Sequence, residues 1–440
     1  MTKKPAKHTG KVLRSLLKYF TAALLIFIPL YPKFPLFTLP FTYVAIRIED
    51  LLIVIAVTVA ALYFIKNRRT LKFPPLTQQI LIFWGIGLLS CLSAILITQS
   101  INPLLVLLHF FRRIEYMALF FVFYLLGSTG RKQRRFAVEL IFLPVLGVFL
   151  YGLAQIYLRA PVISTMNEEF SKGLALTLQP GVQLSSTFAG HYDLAIYLTF
   201  IVSFFAALLM LFKDKAKQGM VIISLLPSIW LFSQAGSRMG LVGLLVAVFF
   251  ITYLTRRYLL GFILFVIIGV GVVSSPYLIG RFQNILNIIP LTRQSSIVSI
   301  EALAQDEVLR PIQQDRSTSI RFDVEWPHAL RSFYKNPLLG TGYSSLGLAT
   351  DNDYLRSLGE TGLLGFISFL SVLSGLFIML LKRFRQAKNF WDRLITTASL
   401  GVFASMASTA LFIDVFEASK IALLFWSIMG LALSTSYDKN

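Results

Sequence analysis

The chain has 440 residues, 56% of them hydrophobic and 14% charged, with a mean hydropathy of +0.71. A soluble core cannot enclose that much apolar surface, so the composition makes this an integral membrane protein. The 41 Lys and Arg against 21 Asp and Glu leave a formal net charge of +20; no zinc, helix-turn-helix or aromatic RNA-binding motif comes with it, which argues against a nucleic-acid partner and for membrane topology and anionic lipid.

The N-terminal stretch MTKKPAKHTGKVLRSLLKYF is basic and runs into a full-length apolar segment without a small-residue cleavage site. It reads as a retained first helix with a cytoplasmic N-terminus, not a removed signal peptide. Windows of about 20 apolar residues, enough to cross a bilayer, follow at 17–37, 48–65, 78–98, 103–127, 136–158, 188–212, 219–236, 238–254, 258–276, 357–381, 394–412 and 419–436. The expectation is an all-α polytopic membrane protein of about twelve spans.

Charge tests that order. With the N-terminal tail, Lys66 to Lys72, Arg131 to Arg135, Lys213 to Lys217, Arg256 to Arg257, Lys382 to Arg393 and the C-terminal end on the cytoplasmic side, roughly 25 of the 41 basic residues gather there against about 4 acids. Both termini then face the cytoplasm. The other side keeps two long segments, near Arg159 to Thr187 and from Tyr277 to about Leu355, and the second divides the chain into helices over 1–276, an outer loop over 277–356 and helices over 357–440.

Along the chain, polar residues are the candidates for function, because intramembrane or interfacial charge is costly. Arg47, in YVAIRIEDLL, opens the second span beside Glu49 and Asp50, where snorkelling or a local ion pair is the plainer use. Cys91 is the only cysteine and reads as a packing residue. In HFFRRIEYM, Arg112 and Glu115 stand at the i, i+3 spacing of a helix pair; a buried ion pair and a lipid-phosphate contact are both open.

His191 and Asp193, in GHYDLAIYL, start the sixth span, as a proton acceptor or as a cap and interfacial anchor. Arg238, in SQAGSRMGLVG, sits at a turn among small residues that would let a bulky anionic group approach a guanidinium, with snorkelling as the alternative. Arg321 precedes Trp326 and His328, and a surface pair with Asp323 or Glu325 is its ordinary explanation.

The outer loop mixes apolar and polar positions at helical spacing, punctuated by Pro290, Pro311 and Pro337, which suggests short amphipathic helices at the membrane surface. LLGTGYSSLG lacks the lysine of a phosphate loop and reads as a turn into a re-entrant or surface helix. Asp351, Asn352 and Asp353 follow; one can cap the helix that begins near Tyr354 while another remains available as a base. Hydrolase motifs and metal-ligand spacings are missing, so neither a metal nor a cofactor is expected.

The span pattern, the SRxG turn, the outer loop, then NPLLGTGYSS, DNDYLRSLGETGLLGF and a closing helix pair, together with RIEDLLI and STFAGHYDLAIYL, resemble the O-antigen ligase and polymerase superfamily. The resemblance implies a GT-C-like membrane glycosyltransferase, metal-independent and inverting, in the bacterial cytoplasmic membrane. Such an enzyme takes a glycan from an undecaprenyl pyrophosphate carrier and joins it to an acceptor hydroxyl on a lipid or glycan.

By that resemblance Arg238 and Arg321 match the family's outer-face arginines, with His191, Arg47 and Arg112 as further substrate contacts. Asp351 stands where ligases of the family carry a histidine, a departure that marks either a substituted base or a different acceptor. A transporter or flippase of lipid-linked saccharides is the rival reading; it calls for an internal repeat, and the halves show no obvious one.

Overall fold

A computed structural model describes residues 5–435 other than 41, 43, 70, 100, 165–173, 179–182, 276–319 and 348. Pro290, Pro311 and the first part of the expected outer loop lie outside the described residues.

Helices occupy all twelve apolar windows: α1 Pro5–Leu30, α2 Ile48–Lys66, α3 Thr77–Ser93, α4 Pro103–Ser128, α5 Arg131–Tyr157, α6 His191–Leu211, α7 Lys215–Ala235, α8 Arg238–Thr255 and α9 Tyr258–Val273 in the first part. A short helix α10, Trp326–Lys335, precedes α11 Asp353–Gln386, α12 Phe390–Thr409 and α13 Ser419–Leu433. Eight of the described helices are long and apolar enough to cross a membrane, and α9 and α13 are shorter apolar helices. The chain is thus a mostly helical polytopic membrane protein. Two short antiparallel hairpins depart from an all-α description: β1 Phe37–Thr38 with β2 Ala45–Ile46, and β3 Pro161–Ser164 with β4 Leu174–Thr177.

The caps are those the sequence offers. Asn102, Asp214, Ser237, Asn352 and Asn389 each accept a backbone N–H at the start of α4, α7, α8, α11 and α12, satisfying donors that a helix start leaves open. α1 begins well before its apolar window, because the basic N-terminal residues continue the helix along the protein surface, where Gly10 meets Lys66.

In lipid, helices associate through close packing more than through hydrophobic drive, which favours small residues at the contacts. Gly430 of α13 lies directly against the Phe120 backbone of α4, and Gly243 of α8 faces Thr409 and Ser405 of α12. α6, α12 and α13 are enclosed by the others, and nine-tenths of the apolar window of α6 (89%) is buried. Helices α2, α3, α5 and α9 carry the lipid-facing residues outside.

The basic clusters share one end. Arg134 of α5 pairs with Asp392 of α12, Lys18 lies over Phe136, Arg135 over Trp391, and Phe212 stacks on Phe390. The start of α1 and the end of α13 lie there too, since Arg14 reaches the Thr129 carbonyl and Gly127 abuts Ser434.

α11 is where the expected uninterrupted span fails. Gly362 sits at φ +66°, ψ −169°, splitting the helix. The turn at 337–342 supplies the missing partners: Thr341 and Gly342 N–H donate to the Gly359 and Glu360 carbonyls at 3.1 and 2.8 Å, and Leu363 and Leu364 N–H donate to the Pro337 and Leu338 carbonyls at 2.8 and 3.2 Å. Every backbone group at lipid depth must be satisfied internally, so this break exists only because a second backbone docks on it. Any side chain at Gly340 or Gly362 would collide with the opposing main chain. The Gly-rich segment is therefore a turn, as its sequence suggests, and its role is to complete a broken helix.

Candidate functional site

The site grows from the turn before α11. Asn352 caps the helix, its side chain accepting the Leu355 N–H at 2.9 Å, and Asp353 accepts the Phe416 N–H at 3.1 Å. Asp351 is left uncommitted to capping and takes the left-handed conformation at φ 50°. Asp414, in the turn between α12 and α13, holds that conformation: its carboxylate accepts the N–H groups of Thr350, Asp351 and Asn352 at 2.6, 3.0 and 3.1 Å. Three converging N–H donors on one carboxylate form a rigid anion nest.

Arg321 approaches from the π-helical turn Ile320–Glu325 that leads into α10. Its Nε and Nη2 both bind Oδ2 of Asp351, at 2.9 and 2.8 Å. The ordinary expectation, a pair with Asp323 or Glu325, is replaced by this fork to a residue 30 positions away. The Arg321 side chain is 7% exposed and that of Asp351 28%, so the pair sits at the mouth of the site with Asp351 Oδ1 in neither bond. Burial raises the Asp351 carboxyl above the usual aspartate range, and Arg321 pulls the other way.

Glu325, at the end of the same turn, was read only as a possible partner of Arg321. Burial, and then the negative charges of Asp351 and Asp414, push its carboxyl up to about 7. Its Oε2 is buried without a hydrogen-bond partner among the described residues.

Behind the turn lies a charged layer that sequence reasoning missed. Arg356 donates to Asp414 at 3.0 Å and meets Glu360 at 3.5 Å, while Arg113 of α4 contacts Glu417 and lies 3.7 Å from Glu360. Arg356, Glu360, Arg113 and Glu417, with Asp353, line a cavity of about 50 Å3. Arg113 ties α4 to α11 and to the turn before α13.

Arg238 is the first residue of α8 and is buried. Gly240 packs on Ala195 of α6 and Gly243 on the end of α12, next to the 410–414 turn, so Arg238 belongs to the same end of the bundle as Asp351. Gly240 and Gly243 serve this close helix packing.

The remaining sequence candidates form a second cluster. His191 opens α6 with its ring 4.0 Å from that of Tyr192, and Asp193 pairs with Lys33 at 3.6 Å. Arg112 reaches Asp50 at 3.7 Å and the Ala45 carbonyl at 3.3 Å, across to α2. Arg47 is buried, not snorkelling, and Asp50 accepts its backbone N–H at 2.9 Å. Lys420, at the start of α13, donates to the Thr187 and Pro29 carbonyls at 2.9 and 3.4 Å and closes the cluster.

Cys91 is buried against Tyr343, Val106 and Phe110, as a packing residue should be. Among the described residues no three His, Cys, Asp or Glu side chains converge as a metal site.

Residues 223–370 match the model of a family described as O-antigen ligase. The matched stretch contains Arg238, Arg321 and Asp351 and ends within α11. No curated protein matches the chain.

Proposed function

From the O-antigen ligase superfamily domain that residues 223–370 carry, we propose that the chain is a membrane glycosyltransferase of the ligase or polymerase type. It moves a glycan from an undecaprenyl pyrophosphate carrier to an acceptor hydroxyl, at the end of the bundle opposite the basic face. That end is then extracytoplasmic, and the basic face with both termini is cytoplasmic.

The observation that supports this reading is the Arg321–Asp351 fork, with the Asp351 backbone fixed by Asp414. The acceptor oxygen attacks the anomeric carbon of the carrier-linked sugar, and the bond from that carbon to the pyrophosphate breaks. Its electron pair leaves on the carrier pyrophosphate, and the hydroxyl proton passes to Asp351. Charge grows on the pyrophosphate in this step, and Arg321 and Arg238, engaged with it once the donor has bound, stabilise that charge without further reorganisation.

The fork adds a coupling. A pyrophosphate offers Arg321 a stronger anion than one carboxylate oxygen, so donor binding draws the guanidinium away and releases Asp351 to act as base only when there is a reaction to catalyse. His191, Arg47 and Arg112, members of the second cluster, are the further substrate contacts of this reading.

The test is reconstitution with undecaprenyl pyrophosphate-linked oligosaccharide, with and without acceptor, followed by mass spectrometry of all lipid-linked and transferred products. Arg321→Ala and Arg238→Ala should each lower turnover by about 10²–10³-fold, as for loss of one preorganised donor, with membrane expression intact. Near-normal turnover in both variants would reject the assigned roles. A ladder of carrier-linked products without acceptor identifies a polymerase, and acceptor-dependent single transfer a ligase.

A further inference from the structure

We propose that α10 is an interfacial helix seated on the lipid leaflet at the Arg321 end of the bundle, and that this seat sets the height of Arg321 relative to the lipid headgroups. The membrane contact rests on the chain spanning a bilayer, and its consequence for Arg321 rests on the function proposed above.

Three faces of α10 carry the argument. Ala329, Ser332, Phe333 and Asn336 turn inward: Ala329 and Ser332 are buried, Gly359 of α11 packs on the Ala329 backbone, and Asn336 donates to Ser93 of α3 at 2.9 Å. Arg331 and Lys335 form an exposed cationic face, with the exposed His328 ring beside them. Between them runs an exposed apolar stripe of Leu330, Tyr334 and Leu338, 39%, 74% and 61% exposed. Leu330 and Tyr334, four residues apart, share one side of α10, and Leu338 stands exposed in the turn that follows the helix.

The stripe continues an apolar surface already exposed on the spans. Leu363 and Leu364 N–H groups bond the Pro337 and Leu338 carbonyls, and Leu363, Leu364 and Ile367 are themselves exposed. On the other side the Asn336–Ser93 bond sets α10 beside Leu96 and Ile97, the latter 74% exposed. A helix with an apolar stripe joined to lipid-facing spans, and cations along its flank, fits a phosphate-headed lipid surface and no aqueous setting.

The link to Arg321 is covalent and short. The π-helical turn carrying Arg321 runs straight into α10, and it exposes Ile320, Phe322 and Val324 around the buried guanidinium. Seating α10 in the interface therefore places the Arg321–Asp351 fork at headgroup depth, where a lipid pyrophosphate lies.

The experiment uses the full chain with its single cysteine replaced, Cys91→Ser, and one new cysteine at a time, Tyr334→Cys or Lys335→Cys. Each is labelled with an environment-sensitive nitrobenzoxadiazole dye in phosphatidylethanolamine–phosphatidylglycerol vesicles, with and without spin-labelled quencher lipid. The dye at 334 should be blue-shifted and quenched by the lipid, and the dye at 335 should show water-like emission and little quenching. Water-like emission at 334, or equal quenching at both sites, overturns the proposal; if Tyr334→Cys does not fold, Leu330→Cys takes its place with the same two outcomes. In the transfer assay, Leu330→Glu with Tyr334→Glu should lower turnover by about tenfold or more, as displacement of a positioned group does, and unchanged turnover would overturn the link to Arg321. The dye result needs no transfer, so failure of the lipid contact and failure of the proposed activity are told apart.

Discussion

The two ends of the helix bundle handle buried charge in opposite ways. At the basic end, each guanidinium nitrogen of Arg134 has a partner: Nε and Nη2 bind the two oxygens of Asp392 at 2.8 and 3.2 Å, and Nη1 binds the Gly127 carbonyl at 3.0 Å. At the other end, Arg321 places two donors on one oxygen of Asp351, and Arg356 Nε, Arg47 Nε and Glu325 Oε2 stay buried without hydrogen-bond partners among the described residues. A closed pair fixes helices against each other. Incomplete pairing inside a low-dielectric site leaves interactions to be completed by something that binds, which is why the second end is the one to test for chemistry.

The sharpest way to break the comparison is to remove the cation at each end. Arg321→Ala should cost about 10²–10³-fold in turnover with little change in melting temperature. Arg134→Ala should do the reverse: it strands a buried Asp392 and should destabilise the protein by about 3–5 kcal/mol, while the folded fraction transfers at the normal rate. Thermal unfolding in detergent alongside turnover per folded molecule reads both, and matching losses of turnover would erase the distinction.

Asp414 tests whether the site end also has a structural layer of its own. Asp414→Asn removes the charge that gathers three backbone N–H groups and Arg356, so Asp351 should lose its fixed position. Turnover should fall by about tenfold, because misplacement of a reacting group by a fraction of an ångström is expensive, and donor KM should change little. A raised KM with normal kcat would instead place Asp414 in donor binding.

Asp414 also shows where sequence reading stops. The helices were legible because apolar windows of bilayer length have few other uses, and the basic face followed from charge alone. Asp351 and Arg321 stood out by resemblance, yet their fork did not, because 30 residues of chain separate them and a local partner is the default for an exposed-looking arginine. Asp414 lies 63 residues beyond Asp351, in FIDVFEASK, where an acid between two spans reads as interfacial. The break at Gly362 had a signal in the cluster Gly359, Gly362 and Gly365 with Glu360 and Thr361 among them. Its meaning came only with the 337–342 turn that docks on it, and pairings between distant segments are what one sequence does not display.

The smallest expected effect separates Glu325 from Asp351. Glu325 titrates near 7 in the folded protein, above the ordinary glutamate value of 4.5. The folded state therefore holds a proton that the unfolded state has lost between those two values, and stability declines as pH rises through that window. Glu325→Gln should flatten this decline, seen as a melting temperature that no longer falls between mildly acidic and neutral pH. Turnover carries the other half of the test. If Asp351 is the base, Glu325→Gln keeps most of the activity and leaves the acidic limb of the pH profile in place, because the amide replaces a carboxyl that already holds its proton below about 7. If the variant loses activity as fully as Asp351→Asn, the base is Glu325, and the Arg321–Asp351 fork returns to being a structural pair like the one at the opposite end.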